Sequence, residues 1–432
     1  MQRSFAVDNS RFLASNVQPA PFCTKEINLL LAQILDTRPT TLYVRNSAQF
    51  GLVDVSAPLL SSAPLHRLAA YLAEKNGCEK NERVKKTGDV ETVQYFQGIG
   101  LVDDFYLSLV SWSSKYNRRA VALGPNLYFW GGSSDGIDEL KLEKYQLGHI
   151  TCISYSRRDI LLVCTARSYV VVYSQLLQKI VATTYLAGAY ICCAEWLGNT
   201  NNVFAGNDKG TVYCLQVSER EIVVRRRIEF HQQQICGLAL NQAMTTLAVG
   251  SNDNKCSLWD ISNLALPVHQ FTLNHSAAVK ALAFCPWSPG LLASGGGRKD
   301  RTIRFWHTRT GTLVRQIPTD YQITSLVWCR SRREFAAILG AGRTGSSTDI
   351  LRIYTYPGLN CKRQASAKTN LRAVSSAVSP DGNSMCAAFS DSTIRGYNLW
   401  NPAQRELREA GDYGSSILNA VEKSWGIAPG IR

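Results

Sequence analysis

The feature that most constrains the fold of this chain is a sequence frame that recurs at intervals of 41 to 48 residues. In its clearest copies a strand-like run and a turn lead to an aspartate, and a tryptophan stands six positions later. These two copies are Asp253 with Trp259 and Asp300 with Trp306. The other copies keep one or both positions: Asp208 with Cys214, Asp391 with Tyr397, and Trp130, Tyr173 and Tyr354 without an aspartate. A short polar side chain can tie such a turn, and the aromatic ring fills the wedge between neighbouring repeats.

Seven copies of a unit with this period are typical of a β-propeller. We therefore predict an all-β fold, a seven-bladed WD-repeat propeller over residues 101–400, whose closed ring leaves only short sheet edges exposed. Strand-like alternation begins at residues 101–114, LVDDFYLSLVSWSS. The expected blades are residues 101–131, 146–175, 186–218, 229–263, 272–311, 316–358 and 366–400, and a short C-terminal tail covers residues 401–432.

Residues 1–100 are expected to form a largely disordered tail that contains two short amphipathic helices. Their sequences are KEINLLLAQIL at residues 25–35 and LHRLAAYLAEK at residues 65–75. Helices of about 11 residues are unstable alone in water, so each would have to dock, either on the propeller or on a partner.

The composition argues against several classes of protein. The 13 cysteines include no C-x-x-C pair and many lie singly in strand-like runs, so we expect buried, reduced thiols and no metal site. No apolar run is long enough to span a bilayer, and the first residues do not have the layout of a secretory signal. We expect a soluble protein, nuclear and cytoplasmic, that does not bind membranes.

The formal net charge of +14 raises the question of nucleic-acid binding. The basic residues form small clusters, such as residues 225–227, 330–333 and 362–363, without interleaved aromatic side chains that would stack on bases. We therefore expect no nucleic-acid partner, whereas an acidic protein partner remains open.

No constellation of residues typical of an enzyme is present in the sequence. Phosphate-loop, nucleophile-elbow and zinc-helix motifs are missing, and Gly295, Gly296 and Gly297 link two strands rather than open a helix. His149, His231 and His275 precede blades at a position expected to be structural. A binding platform without catalytic residues, metal or cofactor is the predicted class.

Several segments resemble the Fizzy and Fizzy-related family, the activator and substrate-receptor subunits of the anaphase-promoting complex, a ubiquitin ligase. They are DDFYLSLVSWSS, VALGPNLYFW, GSNDNKCSLWD, VKALAFCPWSPGLLASGGGRKDRTIRFW and AVSPDGNS, in the family's blade order. The resemblance implies binding of degron-bearing substrates and of the ligase core. The departures described below suggest a divergent member, such as one used in meiosis. A generic WD-repeat scaffold with other partners is the alternative.

The resemblance also implies where the ligase would be contacted. The chain ends in Ile431 and Arg432, which match the family's C-terminal Ile-Arg tail that docks a tetratricopeptide-repeat subunit. Near the start, Arg11, Phe12 and Leu13 are similar to the core of the family's C-box, although Ser10 replaces its acidic residue and Ala14 its proline. An ordinary unstructured segment is the alternative for this second motif.

The family's KEN-box degron binds the central face of the propeller, and three matching residues are assigned to it here. Asn252 and Asn254 lie in the SNDN turn, where amides can donate to and accept from a peptide. Arg372 would receive the degron's acidic side chain. Arg298 stands where the family commonly has a small hydroxyl residue. A purely structural turn is the alternative role of the two asparagines.

The family's destruction-box degron binds between the first and last blades. Asp104 matches the first-blade acid that receives the degron's arginine, whereas Ser392 replaces the glutamate expected opposite it. Asp391 could compensate if it points outward, but tying its own blade turn is the favoured role. The resemblance therefore implies a weakened destruction-box site.

Overall fold

The computed structural model describes residues 52–54, 90, 92–132, 134–158, 160–218, 220–342, 348–367 and 371–401. The two predicted helices at residues 25–35 and 65–75 lie outside these ranges. The predicted ligase-docking residues lie outside them as well: Arg11, Phe12, Leu13, Ile431 and Arg432.

Antiparallel strands account for nearly all regular structure in the described part of the chain. The first fourteen are β1 (Leu52–Asp54), β2 (Thr92–Gly98), β3 (Val110–Trp112), β4 (Arg118–Leu123), β5 (Asn126–Gly131), β6 (Ser134–Leu140), β7 (Ile150–Tyr155), β8 (Ile160–Thr165), β9 (Tyr169–Ser174), β10 (Lys179–Tyr185), β11 (Ile191–Trp196), β12 (Asn202–Asn207), β13 (Thr211–Val217) and β14 (Ile222–Glu229). A single-turn 3₁₀ helix, Glu143–Tyr145, lies between β6 and β7.

The second half of the chain continues the same pattern. Its strands are β15 (Ile235–Leu240), β16 (Thr246–Ser251), β17 (Lys255–Asp260), β18 (Val268–Asn274), β19 (Val279–Phe284), β20 (Leu291–Gly296), β21 (Thr302–His307), β22 (Thr312–Pro318), β23 (Tyr321–Trp328), β24 (Glu334–Gly342), β25 (Thr348–Thr355), β26 (Cys361–Ala367), β27 (Ala373–Val378), β28 (Ser384–Phe389) and β29 (Thr393–Asn398).

These strands form seven sheets, which confirms the predicted seven-bladed propeller. Blades 1 to 6 each contain four consecutive strands, from β3–β6 to β23–β26. The first strand of each blade contacts the first strand of the next, and β27 of blade 7 contacts β3 of blade 1. These seven inner strands therefore surround a central axis. No described helix is both long and apolar enough to cross a membrane.

Blade 7 is assembled from both halves of the chain. Its strand order is β1-β2-β29-β28-β27, so β1 and β2 complete a sheet whose other three strands are β27, β28 and β29. Strand β2 pairs with β29 from Thr92↔Tyr397 to Gln97↔Thr393. The predicted propeller boundary at residue 101 omits this strand. Its pairing partner lies nearly 300 residues away along the chain, and local sequence cannot show such a pairing.

The recurring Asp-x5-Trp frame corresponds to a buried hydrogen-bond network in blades 4 and 5. In blade 4, His231 Nδ1 lies 2.9 Å from Asp253 Oδ2 and its Nε2 lies 2.8 Å from Ser257 Oγ, which also accepts a bond of 2.7 Å from Trp259 Nε1. Blade 5 has a similar network of His275, Asp300, Ser294 and Trp306, but Ser294 lies on β20, whereas Ser257 lies on the same strand as Trp259. Each network joins the segment before the blade to the turn that carries the aspartate and to the strand that carries the tryptophan, which explains the fixed spacing of these two residues.

Strand β2 also contributes to the apolar contact between blades 7 and 1. Phe96 is 4% exposed and packs with Val121, Leu123, Trp130 and Ile394. Its ring centroid lies 5.3 Å from that of Trp130. Ring closure therefore combines backbone pairing with a buried aromatic contact.

We expect Phe96→Ala to lower the free energy of unfolding by about 3 to 5 kcal/mol, because it leaves a cavity at the closure. Val93→Ala on the same strand is the matched control, since Val93 is 52% exposed and should change stability by less than about 0.5 kcal/mol. Urea denaturation of the two variants measures both values. Equal stability of the two variants would contradict a closing role for Phe96.

Candidate functional site

A repeated β-bulge marks the same end of five inner strands. The pairing register of each strand shifts just after its first residue, which leaves one residue without a partner. Bulges bend the strand and re-aim a side chain. The unpaired residues are Thr151, Cys192, Cys236, Lys280 and Val374.

The bulged Lys280 of blade 5 connects its blade to blades 7 and 1. Its Nζ donates hydrogen bonds to the carbonyl oxygens of Phe105 at 2.5 Å, Leu107 at 2.9 Å and Val374 at 2.8 Å. The ammonium group also lies 5.1 Å from the centroid of the Phe105 ring. Burial lowers the pKa of Lys280 to about 8. Because blade 5 is not a neighbour of blade 1 or 7, these bonds cross the central axis.

The segment of residues 103–107, which Lys280 holds in this way, carries three polar contacts of its own. Asp104 Oδ1 accepts the backbone N–H of Tyr106 at 2.8 Å, which fixes a tight turn. The Tyr106 hydroxyl donates to Asn252 Oδ1 of blade 4 at 3.0 Å. We call residues 103–107 the crossing segment, because it connects blade 1 to the turns of blades 4 and 7.

The third contact is an ion pair between Asp103 and Arg372. Arg372 Nη2 lies 2.6 Å from Asp103 Oδ2, and its Nε donates to Oδ1 at 3.1 Å. The two side chains remain 35% and 44% exposed. Asp103 was not among the residues predicted from the sequence, where its only signal is that it stands directly before Asp104. The residue predicted to receive a degron carboxylate is therefore already paired with a carboxylate of this chain.

The crossing segment contacts two of the predicted KEN-box residues, Asn252 and Arg372, and Asn254 lies in the same turn as Asn252. Asn252 is half-buried, and its amide oxygen is occupied by Tyr106. Asn254 is exposed and has a positive φ of 65°, a conformation that asparagine tolerates in tight turns. Its carbonyl oxygen accepts the N–H of His275 at 2.9 Å.

Asp391 of the predicted destruction-box site is held by its own blade. Its Oδ1 accepts the backbone N–H of Thr393 at 3.0 Å and the hydroxyl of Thr393 at 2.5 Å. Its Oδ2 accepts from Arg395 Nη2 at 2.9 Å. Ser392 follows in the left-handed conformation, with a φ of 59°, and its carbonyl accepts the N–H of Gly98 at 2.7 Å. No described hydrogen bond or ion pair joins either residue to Asp104.

The His-Asp-Ser sets of blades 4 and 5 contain the residue types of a nucleophilic triad. Both serine hydroxyls are buried, and each accepts a bond from a tryptophan Nε1. A serine that is inaccessible and already bonded cannot attack a substrate, so these sets are structural. Among the described residues there is also no group of three or more His, Cys, Asp or Glu side chains that could hold a metal ion.

Comparisons with known proteins agree with this architecture. A family model described as "CDC20/Fizzy WD40 domain" matches residues 97–397. The meiosis-specific APC/C activator protein AMA1 of Saccharomyces cerevisiae is 37% identical over 74% of this chain and 60% of its own length. The anaphase-promoting complex subunit cdc20 of Dictyostelium discoideum is 32% identical over 74% of this chain and 63% of its own length.

Two further relatives bear on the fold and the subgroup. Meiotic fizzy-related protein 2 of Schizosaccharomyces pombe is 30% identical over 75% of this chain and 67% of its own length. A chain in the crystal structure of a mitotic checkpoint complex matches with a TM-score of 0.65 and 29% identity, over 75% of this chain and 96% of that one. This chain thus spans about three fifths of the length of the first relatives it matches. From residue 97 to residue 397, the chain belongs to the CDC20/Fizzy WD40 family.

Proposed function

We propose that this protein is an activator and substrate-recognition subunit of the anaphase-promoting complex, with KEN-box and destruction-box degrons bound on its propeller. The observation that carries the proposal is that Asn252 and Arg372 both contact the crossing segment, which itself contains Asp104. Family membership and the names of its relatives support it. Substrates of this kind would be cell-cycle proteins presented for ubiquitin-dependent degradation, and the protein itself is not an enzyme.

A KEN-type peptide would meet both donors and acceptors on this face. The Asn252 amide nitrogen and the whole Asn254 side chain make no described hydrogen bond, so they are available to the peptide's polar groups. The peptide's glutamate would bind the Arg372 guanidinium, where charge-assisted bonds are strongest. The glutamate would have to displace Asp103 from Arg372 or share the guanidinium with it. Asp103 therefore competes with the ligand for the same cation.

A destruction-box arginine would be received by one carboxylate rather than two. Asp104 uses Oδ1 to fix the Tyr106 turn and has Oδ2 without a described hydrogen bond. Asp391 is occupied by Thr393 and Arg395. A missing charge-assisted bond costs on the order of 1 to 2 kcal/mol, so we propose a destruction-box site weaker than one with two acids.

The two ends of the chain would attach the propeller to the ligase. In this proposal two segments bind the ligase core. One contains Arg11, Phe12 and Leu13. The other is the terminal pair Ile431 and Arg432, which binds in a tetratricopeptide-repeat groove. Several weak contacts then act together through effective concentration. The proposed partners are the ligase core and degron-bearing substrates, without nucleic acid or membrane, and the proposed locations are the nucleus and cytoplasm.

Removal of the last two residues tests the attachment to the ligase. We expect recovery of the purified anaphase-promoting complex on the full-length chain to fall several-fold when Ile431 and Arg432 are deleted, because an apolar anchor, a guanidinium and the carboxylate's position are lost together. A variant ending in Ala-Ala is the length-matched control and should behave like the deletion. Equal recovery by all three would favour the generic scaffold.

The KEN-box assignment predicts opposite effects of two substitutions. Arg372→Ala should weaken binding of a fluorescent KEN-box peptide by roughly 10-fold or more, since a charge-assisted bond contributes about 1.5 to 3 kcal/mol. Asp103→Asn should strengthen it, because it removes the competing carboxylate while it keeps the side chain's size. Fluorescence anisotropy measures both affinities.

The same peptide with glutamine in place of its glutamate is the control for this pair. Neither substitution should alter its affinity as strongly. If Asp103→Asn weakens binding of the original peptide, Asp103 contacts the ligand and does not compete with it.

The destruction-box assignment predicts different effects of two aspartate substitutions. Asp104→Asn keeps an oxygen for the Tyr106 N–H but removes the charge, so it should weaken a destruction-box peptide by roughly 5- to 30-fold and spare a KEN-box peptide. Asp391→Asn is the matched control and should have little effect on either peptide. An equal loss from both substitutions would mean that Asp391 also faces the degron.

A further inference from the structure

The turn between β20 and β21, at the edge of blade 5, carries three neighbouring cations. Arg298, Lys299 and Arg301 line a cavity of about 570 Å³ together with Asp300, Pro318 and Thr319. Arg298 and Lys299 are exposed, and Arg301 is half-buried. We call Arg298, Lys299 and Arg301 the basic cluster of blade 5.

The acid within this turn does not neutralise the basic cluster. The Asp300 side chain is 3% exposed; its Oδ2 contacts His275 Nδ1, and its Oδ1 accepts from Arg304 Nη2 at 3.1 Å. Both oxygens therefore serve the blade's internal network. None of the three cations of the cluster forms an ion pair with a described carboxylate. The cavity wall keeps an excess of positive charge.

Arg301 is held in place before any ligand arrives. Its carbonyl oxygen accepts the N–H and the hydroxyl of Thr319, each at 2.8 Å, and its own N–H donates to the carbonyl of Gly297 at 2.9 Å. Its Nε donates to the carbonyl of Arg298 at 2.8 Å. The guanidinium's two terminal nitrogens make no described hydrogen bond. A fixed guanidinium loses less conformational entropy when it binds an oxyanion.

The basic cluster lies next to the peptide surface around Asn254. The backbone of His275 donates to the carbonyl of Asn254, and its ring contacts Asp300. One residue therefore separates the asparagine turn of blade 4 from the basic turn of blade 5. An extended peptide advances about 3.3 to 3.6 Å per residue, so a residue close in sequence to one bound at Asn254 would reach the cluster.

We propose that the basic cluster of blade 5 is an anion subsite that binds a phosphorylated or acidic residue flanking a degron on the adjacent surface. The proposal rests on the proposed function, since it extends the peptide site of Asn252 and Asn254. A phosphate carries more charge than a carboxylate and offers three acceptor oxygens to guanidinium donors. Phosphorylation beside the degron would then increase the affinity of the substrate.

The test uses the full-length protein and matched fluorescent KEN-box peptides that carry serine, phosphoserine, glutamate or alanine at each of the three positions on either side of the degron. At the position that faces the cluster, phosphoserine should bind roughly 10-fold more tightly than serine, with glutamate between them. The gain should shrink as salt is raised, because exposed charges are screened. Anisotropy titrations measure every affinity.

Two variants locate the effect. Arg298→Ser combined with Lys299→Ser changes exposed turn residues and should remove most of the phosphoserine gain, measured as the ratio of the phosphoserine and serine peptide affinities within the same variant. Arg309→Ser is the control, because Arg309 is an exposed arginine of the same blade in the turn between β21 and β22. It should retain the full gain.

Three results would overturn the proposal. A phosphoserine gain at no position, with the unmodified peptide still bound, rejects the subsite and leaves the proposed function intact. A gain lost equally in the Arg309 control indicates a general effect of net charge and rejects the subsite as well. Failure of every peptide to bind the wild-type chain contradicts the proposed function and, with it, the subsite.

Discussion

The pairing of β2 with β29 is the interaction on which the rest of the molecule depends. Each blade packs on its two neighbours, so a ring lacking one strand at its closure leaves the contact between blades 7 and 1 incomplete. The crossing segment follows β2 by a few residues and lies beside that same contact. The position of Asp103 and Asp104 is therefore set by how the ring closes, and the candidate peptide surface depends on it.

Lys280 adds a second constraint at the centre of the ring. A partly buried ammonium group is unfavourable unless its donors are satisfied, and here three carbonyl oxygens accept its hydrogen bonds. Two of these oxygens belong to the crossing segment and one to blade 7. The lysine thus fixes the backbone whose side chains hold Asn252 and Arg372. The sites assigned to two different degrons therefore share one backbone support.

The sequence alone was sufficient to predict the repeat architecture, because its signal is local and occurs seven times. Asp253 and Trp259 stand at a spacing that the blade-4 network requires, and the same holds for Asp300 and Trp306. Strand β2 could not be assigned in this way, since its partner is distant in the chain. The Asp103–Arg372 ion pair was hidden for the same reason. For Asp391 the sequence favoured a role in tying its own turn. Its contacts with Thr393 and Arg395 are seen only in the structure.

The distance along the chain between β2 and β29 also has a consequence in time. During synthesis at about 5 to 20 residues per second, β29 emerges roughly 15 to 60 s after β2. Over that interval β2 has an unpaired edge, and Phe96 has neither Trp130 nor Ile394 against it until those residues have been made. In a nascent chain of this protein, β2 therefore keeps an unpaired backbone edge until the strands of the last blade have been made.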